Sequence, residues 1–216
     1  NEPISTSTTV TKPVKLPTLR LLSNTPVGGY GASTTNTITT KATKIASSTQ
    51  ILGTTFVRWI DRGRGNIYQA DMAKLEISTV SNTVVPKMYA SLWNKNLTAF
   101  IGSILEDDKS IPSTVYAELK TRPVVKMATT TASTTLSSQN LNVGSLAPLE
   151  LKGKNLPDNI IAYAISPKKD KIFMLVDENG SGVGYTSTFD GKSVTKIFAT
   201  PLTQLNVEWP EESTIA

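Results

Sequence analysis

Phe56-Val57-Arg58-Trp59-Ile60-Asp61-Arg62-Gly63-Arg64-Gly65-Asn66-Ile67-Tyr68-Gln69-Ala70 and Phe173-Met174-Leu175-Val176-Asp177-Glu178-Asn179-Gly180-Ser181-Gly182-Val183-Gly184-Tyr185-Thr186-Ser187 decide the fold. Each is a short apolar run, a Gly-bearing turn and a second run centred on Tyr. They belong to a match that runs without a gap for 28 positions, from Phe56 against Phe173 to Thr83 against Thr200, at a constant spacing of 117. Within it Tyr68 meets Tyr185, Met72 meets Phe189 and Val80 meets Ile197. Runs of strand length separated by Gly, Asn and Asp predict antiparallel hairpins, because those residues accept the positive φ that a tight turn needs.

Working outward, the same rhythm predicts strands over Phe56–Ile60, Asn66–Ala70, Leu75–Val80, Met88–Trp93, Thr98–Leu105 and Val115–Leu119. It resumes over Ile160–Ile165, Lys171–Val176, Val183–Thr188 and Val194–Ala199, with Phe189-Asp190-Gly191-Lys192 as a turn. A shorter element repeats as well. Ser91-Leu92-Trp93 before Thr98-Ala99-Phe100 corresponds to Ala164-Ile165-Ser166 before Lys171-Ile172-Phe173, and again to Val207-Glu208-Trp209-Pro210. Ser166 and Trp209 are 43 residues apart, and a period of about 40 to 45 with four strands is a propeller-blade signature. Trp93 and Ser166 are 73 apart, and a Thr/Ser-rich insertion absorbs the excess. A small twisted sheet cannot hide both faces alone, so its apolar residues must stack on the next sheet. The expectation is an all-β partial β-propeller with about two complete blades and the start of another.

Composition divides the chain further. Residues 1–53 read as a Thr/Ser/Pro-rich stalk, or as β-branched segments donated to a neighbour; Pro26, Gly28, Gly29 and Gly31 punctuate them. Residues 54–120 read as the first blade-like region, 121–156 as a Thr/Ser-rich insertion or linker, and 157–216 as the second blade and the start of the next. Two blades and a strand do not close a ring. The expectation is therefore that the chain continues past Thr214-Ile215-Ala216 or that other subunits cover the open edges. A start at Asn1 without Met suggests a removed leader or anchor, so the location expected is extracellular or cell envelope, with membrane contact only through such an anchor.

Function classes are narrowed by what is missing. Without Cys or His, the chain has no disulfide, thiolate nucleophile, zinc-thiolate site or imidazole base. The net charge is +5 and the pI near 9.3, yet the cations are scattered, and the densest group, Lys168, Lys169 and Lys171, is interrupted by Asp170. A nucleic-acid partner, which needs a coherent cationic stripe, is not expected.

Several clusters have a functional and a plainer reading. Glu106, Asp107 and Asp108 are spaced to hold Ca²⁺, but read first as a solvated loop tip. Asp177, Glu178 and Asn179 before Gly180 are ordinary hairpin chemistry, and Gly180-Ser181-Gly182-Val183-Gly184 lacks the helix a phosphate loop requires. Arg58, Arg62 and Arg64 would suit an anionic partner or a solvated turn; Trp59, Trp93 and Trp209 a ligand platform or packing between blades. Asn96-Leu97-Thr98 and Asn179-Gly180-Ser181 match the glycosylation pattern. No catalytic residue, metal site or cofactor is assigned.

Ile161-Ala162-Tyr163-Ala164-Ile165-Ser166-Pro167-Lys168-Lys169-Asp170-Lys171-Ile172-Phe173 resembles the Ser-Pro-Asp-Gly element of TolB-like propeller repeats, and Asp190-Gly191 with Lys196-Ile197-Phe198 resembles the hairpin after it. With the ending at Trp209-Pro210, the chain is similar to secreted or membrane-anchored propeller proteins of candidate-phylum (Patescibacteria) bacteria, over residues 54–120 and 157–216. It departs from the pattern at Lys169-Asp170 and Asn94-Lys95-Asn96. The resemblance implies a propeller fold and an extracytoplasmic location, and no activity. The function expected is a non-enzymatic binding or assembly module with protein partners or self-association; the alternatives are a filament or surface-layer subunit and a carboxylate-dependent enzyme on the same scaffold.

Overall fold

The computed structural model describes residues 19–42, 47–74, 76–107, 109, 111–121 and 148–210. It is all-β: among the described residues there is no helix, and twelve strands form three four-stranded antiparallel sheets. The first sheet holds β1 (Val27–Ala42), β2 (Ser47–Asp61), β3 (Ile67–Asp71) and β4 (Glu76–Thr79). The second holds β5 (Met88–Trp93), β6 (Ala99–Ile104), β7 (Ser113–Lys120) and β8 (Glu150–Asn155). The third holds β9 (Ile160–Ile165), β10 (Lys171–Glu178), β11 (Ser181–Thr188) and β12 (Thr195–Thr200). Every sheet is a meander in which strands pair in chain order.

Each of the ten expected strands overlaps a strand of this set, Leu75 lying outside the described residues, but the sheets cut the chain at other points than its composition does. There are three complete four-stranded sheets, not two and a strand. Val27–Ala42, read as stalk, is the first strand of the first sheet, and Glu150–Asn155, read as linker, is the last strand of the second. The region 54–120 therefore spans parts of two sheets. Its flanks read as linkers because their apolar content is low: β1 is rich in Thr and Gly, and β8 is Glu-Leu-Lys-Gly-Lys-Asn with its partner β7 remote in sequence. Residues 1–18 of the stalk and 122–147 of the insertion lie outside the described residues.

The core lies between the sheets. Ile60, Ile67 and Val80 of the first pack with Met88, Trp93, Phe100, Ala117 and Leu119 of the second. On its other side the second sheet presents Ala99 and Ile101 to Ile160, Ile172, Met174 and Val176 of the third. The period-two alternation of a strand puts Phe100 on one face of β6 and Ala99 and Ile101 on the other. The middle sheet is therefore buried on both faces, and β6 is buried from Ala99 to Ser103.

Close approach, rather than a turn, explains the glycines of β1. A Cβ on Gly28 or Gly29 would strike the carbonyl oxygens of Met88 or Ser91, and one on Gly31 would strike Trp93 and Leu97. The first strands of the first two sheets thus lie against one another. At the outer side Leu149 donates its amide to Val80 O at 2.8 Å, and Ser81 bridges Leu149 in parallel.

The repeat has a structural counterpart. Phe56 and Phe173 both lie on the second strand of a sheet, and Tyr68 and Tyr185 on the third. Gly65 meets Val85 O as Gly182 meets Leu202 O, both pairs again 117 apart. The strand register, however, is slipped by two: Trp59 lies opposite Tyr68, but Tyr185 lies opposite Met174 and not Val176. The five-residue loop Arg62–Asn66 replaces the two-residue turn Asn179–Gly180, and an even slip keeps each side chain on its face. The shorter element is also shifted from the expected alignment. Lys87 and Asn159, like Leu97 and Lys169, have positive φ at equivalent places, so the spacing there is 72 and Asn94, not Trp93, corresponds to Ser166.

Candidate functional site

The open side of the third sheet is the part of the stack that differs most from its counterparts. Ile172, Met174 and Val176 face the second sheet, so Phe173 and Leu175 point away from it. Across the strands on that outer face come Gly184 and Gly182 of β11 and Phe198 of β12. Phe173 and Phe198 stack with ring centroids 6.0 Å apart, and a Cβ on Gly184 would strike both rings. Leu175 is fully buried although no fourth sheet lies beyond it among the described residues. The chain leaving β12 provides cover there: Leu202 O sits over Gly182, close to Leu175.

From that crossing the burial of the chain alternates residue by residue. Thr203, Leu205, Val207 and Trp209 are half-buried, while Leu202, Gln204, Asn206, Glu208 and Pro210 are exposed. Such alternation is that of a strand with one face packed, yet Thr203–Trp209 has no ladder partner among the described residues. Beside it Val194, Ile197, Phe198 and Leu202 are exposed apolar side chains. Val80 is 7% exposed where the second sheet covers it, and its counterpart Ile197 is 57% exposed. Phe189 shows the reverse, buried against Tyr116 at 6.3 Å while Met72 is exposed. The repeat predicts chemical type at these positions; the neighbouring sheet sets burial.

The other candidates disperse. Asp107 pairs with Lys87, and Glu106 with Lys109 at 2.9 Å; a hydrogen bond from Ser113 and then Lys109 hold the Glu106 carboxyl below its usual range. Asp108 lies outside the described residues. Asp177 Oδ1 accepts the Gly180 amide at 2.8 Å, and Glu178 accepts from the Tyr185 hydroxyl, which ties both to the β10–β11 turn. Asn179 and Gly180 both have positive φ, the conformation of a type I′ hairpin. No group of three carboxylates suited to a metal occurs among the described residues.

The three arginines do not converge either. Arg58 donates through Nε to Gln69 Oε1 at 2.7 Å and through Nη1 to Leu97 O, joining the first two sheets; burial lowers its pKa. Arg62 lies 4.5 Å over the Tyr89 ring, and the Arg64 amide donates to Asp61 Oδ1 at 2.6 Å. Burial acts to raise the Asp61 carboxyl, but hydrogen bonds from Thr25, Arg64 and Gly63 outweigh it and leave the pKa lowered. Asp61 thus organises the β2–β3 loop.

Trp59 stacks on Tyr68 at 5.6 Å, Trp93 packs on Phe100 at 5.1 Å in the core, and Trp209 lies in the trailing strand. They form no common platform. Lys168 and Lys169 lie in the β9–β10 turn and Lys171 opens β10. Of the two glycosylation patterns, one lies in the β5–β6 turn and the other in the β10–β11 turn. A cleft of about 270 Å³ opens between the second and third sheets at Lys109, Ile111, Ser113, Asp158 and Asn159. Nothing in the sequence marked the trailing strand's open edge except the third appearance of the short element at Val207–Pro210. No protein-family model, curated protein or solved structure matches the chain.

Proposed function

We propose that the chain is a non-enzymatic, extracytoplasmic binding or assembly module: part of a TolB-like β-propeller, carried on a Thr/Ser/Pro-rich stalk, that joins another protein through the open side of its third sheet. One observation carries this reading. The middle sheet is covered on both faces, whereas the third presents Val194, Ile197, Phe198 and Leu202 to solvent, and Thr203–Trp209 after it has no ladder partner among the described residues. Exposed apolar groups next to free backbone donors and acceptors are the makings of an interface. The propeller reading draws on the stacking of like meanders, the close approach of first strands, and the repetition of Gly65–Val85 as Gly182–Leu202. A carboxylate-dependent enzyme draws no support from Asp61, Asp71, Asp177 and Asp190, each bound into its own turn.

The test uses the full chain and Phe198→Asp. Protease shaving of intact source cells should degrade the wild-type chain, and crosslinking on the cell surface should join it to a protein partner, itself included. Phe198→Asp should lose that crosslink while remaining folded, with an unfolding midpoint only modestly lowered. A shaving-resistant chain, or a Phe198→Asp variant crosslinked as before, refutes the reading. A second reading, a filament or surface-layer subunit, is favoured by the length of the β1–β2 hairpin, which outruns its sheet.

A further inference from the structure

Among the described residues, two segments extend past the sheets they adjoin, and they complement each other. The first is the far end of the β1–β2 hairpin. β3 pairs only with Phe56–Ile60 of β2, whereas β1 and β2 remain paired from Thr34↔Thr55 to Ala42↔Ser47. At about 3.4 Å per residue these rungs form a two-stranded ribbon of roughly 30 Å beyond the reach of β3. A two-stranded ribbon is at best marginally stable in water and gains from a third strand.

The second is Thr203–Trp209. Gly182 under Leu202 repeats Gly65 under Val85, and three residues after Val85 the chain enters β5, which pairs with β6. Thr203–Trp209 therefore stands where a first strand stands, with one row of side chains packed and no second strand beside it among the described residues. The ribbon's nine rungs are long enough to span these seven residues. Charge also matches: the described residues of Ser33–Thr55 include Lys41 and no acid, whereas Leu202–Pro210 includes Glu208 and no base.

We propose that the β1–β2 ribbon of one copy adds to the Thr203–Trp209 edge of a second copy, so that copies join head to tail by β-augmentation. The inference rests on the assembly reading above and names its partner. Donor and acceptor are different surfaces, so the contact is heterologous and extends to a third copy unless rotation closes a ring. Main-chain hydrogen bonds supply the pairing, and the opposite charges favour encounter of ribbon with edge over ribbon with ribbon.

Because the chain has no Cys, dyes can be placed at single engineered sites. Full chains carrying Thr39→Cys with a donor dye and Asn206→Cys with an acceptor should show energy transfer on mixing, well above that of either variant labelled with both dyes. Sedimentation should show association that grows with concentration and weakens with salt. A variant with Asn-Gly in place of Thr35–Thr54 should be monomeric, as should Val207→Pro; mixed, they should stop at a one-to-one dimer, since one keeps only the edge and the other only the ribbon. Glu208→Lys, an exposed change that leaves the fold intact, should weaken association about tenfold or more and covers the case in which Val207→Pro misfolds. Equal transfer for the same-site pairs, or a shortened variant that assembles as the wild type does, overturns the proposal. So does a wild-type chain still monomeric at about 1 mM; if that monomer is nevertheless crosslinked on cells through Phe198 to another protein, the assembly reading stands and self-donation falls.

Discussion

Gly65 and Gly180 have nearly the same φ, +75° and +82°, but different surroundings. A methyl group on Gly65 would run into Val85 O and Pro86 N, where the Val85 amide already bonds Gly65 O at 3.0 Å; one on Gly180 meets nothing. Gly180→Ala should therefore show only the left-handed backbone cost, about 1 kcal/mol. Gly65→Ala adds a collision with backbone that cannot move aside, and should cost about 3 kcal/mol or more. Urea midpoints at unchanged slope measure the difference. Asp190 gives a pH signature. Lys192, and then Thr188, hold its carboxyl at about 2, below its ordinary 3.8. A depressed acid stabilises the fold above its unfolded pKa and loses that contribution as pH falls through the folded one, so the effect is complete above about pH 5 and gone below about pH 1. Asp190→Asn should flatten the decline in urea midpoint across that window. The pair is solvent-exposed, which keeps the effect small.

The β5–β6 and β9–β10 turns reach one backbone path with different side chains. In the first, Asn94 Oδ1 accepts the amides of Thr98 and Ala99. In the second, Ser166 Oγ accepts those of Asp170 and Lys171 and donates to Asp170 Oδ1 at 2.7 Å. Leu97 and Lys169 have the same φ of +56°. Removing either anchor leaves two turn amides without their acceptor, so Asn94→Ala and Ser166→Ala should each lower stability by about 1 to 2 kcal/mol, with Ser166→Asn retaining most of it, as denaturant titration would show. This equivalence was half legible. Asp190-Gly191 and Asn179-Gly180 announce their hairpins by residue type, whereas Asn94 and Ser166 share only the ability to accept two amides. The alignment by Trp93 was accordingly one residue off. β1 and β8 were hidden for a different reason: Ser, Thr, Gly and Lys serve equally well in a linker and in an exposed outer strand.

Three stacked meanders make burial depend on rank in the stack. Phe100 lies in the middle sheet and is fully buried, while Phe198, on the third, is 40% exposed. Phe100→Ala should cost about 3 to 5 kcal/mol and Phe198→Ala within about 1, a contrast that thermal and urea unfolding both read. Period-two alternation, Gly and Asn at turns, and the 117-residue echo are properties of neighbouring or copied residues, so the all-β class and ten of the twelve strands among the described residues follow from the amino-acid order by itself. Tertiary structure alone decided how strands divide among sheets, since β7 pairs with β8 across the segment between Lys120 and Glu150. It also decided that Gly28, Gly29 and Gly31 serve close packing on β5, and that Val80 is covered while Ile197 is bare. Strand type follows from local sterics and turn chemistry; sheet membership and burial follow from which distant surface comes to lie opposite, and identical residues cannot encode a difference in neighbours.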